Sequence, residues 1–175
     1  MQILAISGTL RAASTNTTLL KAAAALAPAD VRLNFYDGLD DHPPFNPDLD
    51  KDPPHVAVAE FRFQLRKSAG VIFSSPEHAP DVPGVLKNAL DWVVASGELY
   101  KKPVALFSAS PSAGYAQASI VETLTVMSAR VVPEACIVVP LLGKNVKECE
   151  IVAQSDPSRT VRSALTAFIR ATVRI

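Results

Sequence analysis

Short apolar runs alternate with longer amphipathic segments along the whole chain. The apolar runs predict β-strands at residues 3–6, 31–36, 70–73, 104–107 and 136–139. Apolar positions that recur every three or four residues predict helices at residues 17–27, 56–68, 83–96, 117–129 and from 155 or 156 onward. Most of the strands are continuously apolar, as parallel strands buried on both faces are. The pattern therefore predicts an α/β fold, a doubly wound sheet of five parallel strands with helices on both faces.

Three loops follow the predicted first, third and fourth strands, at residues 7–16, 74–82 and 108–115. All three are rich in Ser, Gly and Pro, whereas the loops at the opposite ends of the strands are not. Ligands of doubly wound sheets bind outside the carboxyl ends of the strands. We therefore expect the three loops to form a single pocket.

The first of these loops has the composition of a phosphate site. Residues 7–18 contain six hydroxyl side chains together with Gly8, Arg11 and Asn16. Hydroxyls, backbone N–H groups, a guanidinium and the start of a helix all favour an anion. The spacing matches neither GxGxxG nor a P-loop, so a single terminal phosphate is favoured over a pyrophosphate. The alternative is an ordinary strand-to-helix turn capped by Ser14 or Asn16, which would not require the charge of Arg11.

Composition narrows the possible partners. The chain has 175 residues, 49% of them hydrophobic and 19% charged, with 17 basic and 17 acidic side chains. This length predicts one domain over residues 1–175. The absence of a basic excess argues against nucleic acid and anionic membranes as partners. No signal-peptide pattern or membrane-spanning apolar run is visible, so we expect a cytoplasmic protein.

Neither the cysteines nor the aspartates suggest a metal or redox centre. Cys136 lies in an apolar run and is expected to be a small buried side chain, and Cys149 lies in a charged segment. Asp48, Asp50 and Asp52 alternate as in a calcium loop, but the required glycine and distant glutamate are missing. We therefore expect no metal site and no reactive thiol.

Two longer motifs resemble a known family. GTLRAASTN at residues 8–16 and PEHAPDVPGVLKNALDW at residues 76–92 are similar to GSLRxxSxN and PEYNxxxPGxLKNAIDW. These are patterns of the NADPH-dependent FMN reductase family, which includes chromate and quinone reductases and some azoreductases. PPFNPDLD at residues 43–50 resembles the Pro/Asn/Asp stretch in the second βα loop of the family. The resemblance covers roughly residues 1 to 140 and implies a flavodoxin-like fold.

The resemblance also implies a function and a set of binding residues. FMN would be held noncovalently, NADPH or NADH would be the transient hydride donor, and a small molecule such as a quinone would accept the electrons. No protein acid or base is demanded, because the flavin carries the chemistry. The implied phosphate ligands are Thr9, Arg11, Ser14, Asn16 and Thr17. The implied isoalloxazine contacts are Pro76, Glu77, His78 and Ala79, with Ser108, Ser112 and Gly114 at the far edge of the ring.

The family's members are commonly dimers or tetramers, so the resemblance also implies a homo-oligomer. A pocket edge made of three loops would leave one face of the flavin exposed. Residues 43–45 and Trp92 are expected to supply apolar surface near that side. We therefore expect at least a homodimer.

Three positions depart from the family pattern. His78 replaces a tyrosine, Ala79 replaces an asparagine, and Ala113 stands where a glycine is frequent. His78 either serves as a shelf beside the ring, which we favour, or donates a proton near neutral pH. These departures leave two other functions open, an FMN-binding electron carrier or a binder of a phosphorylated ligand without turnover. Carriers of that kind tend to be strongly acidic, unlike this neutral chain.

Overall fold

The computed structural model describes residues 1–79, 81–112, 114–141 and 146–173. Its centre is a parallel sheet of strands β1 Gln2–Ser7, β2 Arg32–Tyr36, β3 Gly70–Ser74, β4 Pro103–Ser108, β5 Arg130–Val131 and β6 Ile137–Val138. The strand order is β2-β1-β3-β4, followed by β5 and β6, which both pair with β4. The order reverses between β1 and β3, and the loops after these two strands meet there.

Helices cover both faces of the sheet. They are α1 Thr15–Leu26, α2 Val56–Lys67, α3 Gly84–Asp91, α4 Gly114–Val126, α5 Glu148–Ala153 and α6 Ser155–Val173. Buried residues of α1, α5 and α6, such as Leu19 and Phe168, pack with Ile3 and Ile72 on one face. On the other face, Phe61 of α2 and the buried residues of α3 and α4 pack with Phe73. The predicted doubly wound α/β architecture is confirmed.

The fifth strand differs from its prediction. The single strand expected at residues 136–139 is two short strands, β5 and β6, separated by a 3₁₀ turn at Pro133–Ala135. β5 pairs with Pro103 and Val104 of β4, and β6 pairs with Phe107 and Ser108. Proline has no N–H for a strand ladder, so the chain leaves the sheet at Pro133 and returns four residues later, at Ile137.

Several helix limits also differ from the predicted ones. The helix expected at residues 83–96 ends at Asp91, where Val93 N–H bonds to Leu90 O and Val94 N–H to Asp91 O. These i→i+3 bonds tighten the chain into turns. α1 and α4 begin two and three residues before their predicted starts. α5 was not predicted, because its six residues present one buried side chain, Ile151, and no readable period.

None of the helices in the described ranges combines the length and apolarity that a bilayer crossing needs. Cys136 is half buried and Cys149 is exposed on α5. Burial raises the pKa of the Cys136 thiol, which disfavours its reactive thiolate form.

Candidate functional site at the carboxyl edge of the sheet

Gly8 brings the first and second loops into contact. Its N–H donates to the carbonyl oxygen of Ser74 over 2.8 Å. A Cβ on Gly8 would lie 2.6 Å from Ser75 Oγ and 2.8 Å from a methyl carbon of Leu86. Any larger residue would separate the two loops. Gly8 therefore helps to hold the first and second loops together. In the sequence, its position at the end of the first predicted strand was the only sign of this role.

Asn16 joins the first loop to the third. Its Oδ1 accepts a bond from Ser74 Oγ at 3.1 Å and from the backbone N–H of Ala109 at 3.3 Å. The residue is only 5% exposed. Because Oδ1 faces two donors, the amide Nδ2 is the part of Asn16 left for a ligand, and within the described ranges it has no protein acceptor.

The amino terminus of α1 is not capped by a side chain. Ser14 occupies the N-cap position in an extended conformation, but its hydroxyl makes no capping hydrogen bond. The first turn contains no acidic residue, and the Ser14 carbonyl accepts from Thr18 N–H and Thr18 Oγ1. The first N–H groups of a helix and its dipole attract anions. This helix start therefore keeps its donors and its partial positive charge available.

The other candidate phosphate ligands lie in the loop just before α1 and in its first turn. Thr9 Oγ1 accepts a 3.2 Å bond from the backbone N–H of Arg11. Arg11 is exposed, and its guanidinium makes no ion pair within the described part of the chain. Thr17 Oγ1 lies 2.7 Å from Ser7 Oγ, so these two hydroxyls share one hydrogen bond.

Glu77 of the second loop caps α4. Its Oε2 accepts bonds from the backbone N–H groups of Tyr115 at 3.0 Å and Ala116 at 3.1 Å. A carboxylate at a helix amino terminus satisfies free donors and complements the helix dipole. Pro76, half buried beside it, accepts from Ser75 Oγ at 3.0 Å through its carbonyl. The second loop is thus attached to the helix that follows the third.

A tight turn follows at His78. His78 and Asp81 exchange backbone hydrogen bonds of 2.8 and 3.1 Å, and the His78 side chain is exposed. Asp81 Oδ1 accepts from Ser119 Oγ at 2.6 Å and from Val82 N–H at 2.7 Å, and these bonds lower the pKa of that carboxyl. Ala79 has a φ of +46°, a conformation in which asparagine is several-fold enriched. Replacing the family's asparagine by Ala79 therefore strains this turn.

The third loop bonds mainly to itself. Ser108 is 3% exposed, and its hydroxyl donates to the carbonyl oxygen of Ser110 over 2.8 Å. Ser112 Oγ lies 2.9 Å from Ser110 Oγ. Gly114 begins α4 with no atom within 4 Å of where a Cβ would stand, so no described residue requires a glycine there. Ala113, which departs from the family pattern, lies outside the described residues.

Comparison with known proteins decides the family. The model of the NADPH-dependent FMN reductase family matches residues 1–141. The chain belongs to that family. This match confirms the resemblance carried by the motifs of the first and second loops.

Curated relatives of this family member include quinone reductases. It is 43% identical over 94 residues to a 2-hydroxy-1,4-benzoquinone reductase of a Burkholderia species, covering 53% of this chain and 49% of that protein. It is 37% identical over 113 residues to a quinone reductase of Pseudomonas putida, covering 62% and 59%. The matched part thus spans about half to three fifths of these relatives. The flavoenzyme NAD(P)H:(acceptor) oxidoreductase FerB of Paracoccus denitrificans shares the fold, with a TM-score of 0.76, 22% identity and coverage of 99% and 97%.

The family motif LKNALDW also contributes to the framework of the site. Asn88 Oδ1 accepts a 2.7 Å bond from Phe45 N–H, and Asn88 Nδ2 donates to the carbonyl oxygen of Pro43. Trp92 is 1% exposed beneath Phe45, with ring centroids 5.1 Å apart. The expectation that Trp92 supplies apolar surface is therefore wrong, because the segment at residues 43–45 covers it. Phe45, which was part of the same expectation, is 39% exposed and does present apolar surface.

Proposed function

We propose that this chain is an FMN-dependent NAD(P)H oxidoreductase. It would pass reducing equivalents from NADPH or NADH to a small acceptor, with a quinone as the first candidate and chromate, azo compounds or free flavin as others. The observation that carries the proposal is the uncapped amino terminus of α1, preceded by a loop that holds the exposed Arg11. Family membership and the names of the quinone reductase relatives support it.

The donors around α1 fit a terminal phosphate such as that of FMN. A phosphate dianion accepts several hydrogen bonds and is stabilised by a helix dipole. The α1 terminus offers backbone N–H groups, the Ser14 hydroxyl and Asn16 Nδ2, with no carboxylate in its first turn to repel the anion. Arg11 adds a formal charge. We therefore assign the phosphate to Thr9, Arg11, Ser14, Asn16 and Thr17.

The isoalloxazine would lie along the second and third loops. We assign one side of it to residues 76–79 and its far edge to Ser108, Ser112 and Gly114. The carboxylate of Glu77 is held by α4, so the contribution of Glu77 is to keep this part of the loop in place. Bound FMN supplies the redox chemistry. The protein's task is then to orient the ring and limit access of water.

We also propose a cytoplasmic homodimer or homotetramer without nucleic acid or membrane partners. The balanced charge of 17 basic and 17 acidic residues supports the absence of polyanionic partners. Exposed apolar side chains near the site, Phe45 and Leu49, support association on that side.

The experiment uses the purified protein saturated with FMN. A flavin spectrum that bleaches when NADPH or NADH is added without oxygen, and returns when a quinone is added, is the expected result. If FMN binds but neither NADPH nor NADH reduces it, the proposed reductase function is wrong and an electron carrier is favoured. A protein that binds phosphate or phosphorylated ligands but no FMN would overturn the cofactor assignment.

A further inference from the structure

A narrow notch lies between the carboxyl ends of β3 and β4 and the first two turns of α4. Its volume is about 10 Å³, roughly the space of one water molecule. Apolar side chains such as Phe73 and Leu106 line it, together with the polar side chains of Ser75, Ser108 and Gln117. Ser75 belongs to the second loop and Ser108 to the third, the two loops proposed to flank the isoalloxazine. The notch has room for a single polar atom of a ligand rather than for a ring.

Gln117 supplies the side-chain donor available in this notch. Ser75 Oγ donates to the carbonyl oxygen of Pro76 over 3.0 Å, and Ser108 Oγ donates to the carbonyl oxygen of Ser110 over 2.8 Å. A hydroxyl has one proton, so both serines can only accept from a ligand. An acceptor atom that enters the notch therefore depends on the Gln117 amide for a hydrogen bond.

The Gln117 amide has no partner among the described residues. The side-chain hydrogen bonds that α4 forms with them come from Ser119, Thr123 and Thr125. Gln117 is half-buried, and one turn before it no described atom lies within 4 Å of where a Cβ on Gly114 would stand. Helical side chains lean toward the amino terminus of their helix. The Gln117 side chain thus extends toward open space at the carboxyl edge of the sheet.

We propose that Gln117 binds the pyrimidine edge of the flavin ring. That edge has two carbonyl oxygens with an N–H, N3, between them. Gln117 Nε2 donates to one of these carbonyl oxygens, which occupies the notch, and Gln117 Oε1 accepts from N3–H. A glutamine amide pairs with the donor and acceptor edges of nucleobases in the same bidentate way. The inference rests on the proposed function and adds the direction of the ring, whose polar end lies at α4.

Gln117 also affects how readily the bound flavin accepts electrons. Electron uptake increases the negative charge on the pyrimidine part of the ring, and the residues that line the notch include no charged side chain. A fixed donor in such a place stabilises developing negative charge. Gln117 therefore raises the midpoint potential of the flavin, whereas a carboxylate at the same position would lower it.

The first test removes the amide. Gln117→Leu has neither donor nor acceptor, so the dissociation constants of FMN and of riboflavin should both rise roughly tenfold. The two factors should be equal, because the contact is to the ring and not to the phosphate. Gln154→Leu, at an exposed position after α5, is the control and should change neither dissociation constant. Gln117→Glu should lower the midpoint potential of bound FMN, measured by reductive titration.

A methylated flavin isolates the proposed contact. In 3-methylriboflavin a methyl group replaces the N3 hydrogen, so the ring cannot donate to Gln117 Oε1. The wild type should bind this flavin more weakly than riboflavin by about fivefold or more, as expected for one lost hydrogen bond. Gln117→Leu should bind the two flavins with similar affinity, because the partner of N3–H is then missing.

Three results would overturn the assignment of Gln117 and leave the proposed reductase intact. They are an unchanged riboflavin affinity in Gln117→Leu, equal binding of the two flavins by the wild type, and a preference for riboflavin that Gln117→Leu retains in full. The second result needs no variant, so it decides the question even where a substitution disturbs folding. A wild type that binds neither FMN nor riboflavin would overturn the proposed function itself, and this inference with it.

Discussion

The indole Nε1 of Trp92 donates a 2.8 Å hydrogen bond to the carbonyl oxygen of Pro43. The same carbonyl accepts a 2.9 Å bond from Asn88 Nδ2, so two side chains of the α3 region hold one backbone atom of the loop after β2. This loop leaves the carboxyl end of β2, on the site's side of the sheet. Residues of a family motif thus position a loop that lies 45 and 49 positions away in the sequence.

We expect Asn88→Ala to destabilise the fold more than Trp92→Phe. Asn88→Ala removes both an acceptor for Phe45 N–H and a donor to Pro43, a loss of about 1–3 kcal/mol. Trp92→Phe keeps most of the buried ring, and Pro43 retains its bond to Asn88, so the hydrogen-bond loss is about 1 kcal/mol. Urea unfolding measures both. Lys87→Ala, at the neighbouring half-exposed position, is the control, and an Asn88→Ala protein as stable as that control would contradict this role.

Arg11→Ala should weaken FMN binding by roughly ten- to a hundredfold, which corresponds to a charge-assisted contact of about 1.5–3 kcal/mol. Riboflavin lacks the phosphate and should lose far less affinity. Quenching of flavin fluorescence measures both dissociation constants. Lys21→Ala, which removes an exposed cation elsewhere on α1, should change neither. Equal losses for FMN and riboflavin would mean that Arg11 acts through the fold.

Glu77→Ala should loosen the start of α4. It removes the acceptor of the Tyr115 and Ala116 amides, so we expect a loss of about 1–2 kcal/mol in stability and faster hydrogen exchange at these two amides. Glu77→Gln keeps an acceptor oxygen without the charge and should have a smaller effect. FMN affinity measured in parallel tests whether the loop position matters for the ring. Unchanged exchange at both amides in Glu77→Ala would exclude the capping role.

Ala79→Gly should stabilise the protein. A left-handed conformation costs a non-glycine residue about 1–2 kcal/mol, and part of this is offset because glycine makes the unfolded chain more flexible. A net gain of up to about 1 kcal/mol is expected, and Ala79→Asn should shift stability in the same direction. Ala29→Gly, in an exposed turn whose φ is not positive, should instead lose stability. Thermal unfolding distinguishes the two outcomes.

Stability should fall as the pH drops below the ordinary histidine range, through His42. This side chain is 7% exposed, lies 5.3 Å from the Phe61 ring and has a buried Nδ1 without a partner among the described residues. Burial lowers its pKa, so below about pH 6.5 the unfolded chain binds a proton that the folded chain resists. The protonation of His42 therefore leaves the free energy of unfolding unchanged above about pH 6.5. Below that pH it lowers the free energy of unfolding by at most about 1.4 kcal/mol per pH unit.

Two variants test whether His42 causes this decline of stability with falling pH. His42→Phe should flatten the decline whatever its effect on absolute stability, because only the difference in bound protons sets the slope. His78→Asn, at an exposed position of the second loop, is the control. An unchanged slope in His42→Phe, from urea unfolding between pH 5 and 8, would assign the decline to other groups.

The amino-acid sequence by itself determined the doubly wound architecture and the family, and it predicted the edge of the sheet at which the candidate site lies. These features are readable because they rest on local periods and on the composition of continuous segments. The apolar runs gave β1 to β4 within about one residue of their limits, and the hydroxyl-rich loop with Arg11 marked the start of α1. Two uninterrupted motifs were enough to identify the family.

The tertiary structure alone decided which partners these residues take. Asn16 was expected to face a ligand, and its Oδ1 instead bonds to Ser74 at the end of β3 and to Ala109 in the loop after β4. Glu77 bonds to α4, nearly forty positions away, and the fifth strand divides at Pro133. Such choices depend on which surfaces packing brings within about 3 Å, the reach of a hydrogen bond, and no local period encodes that distance.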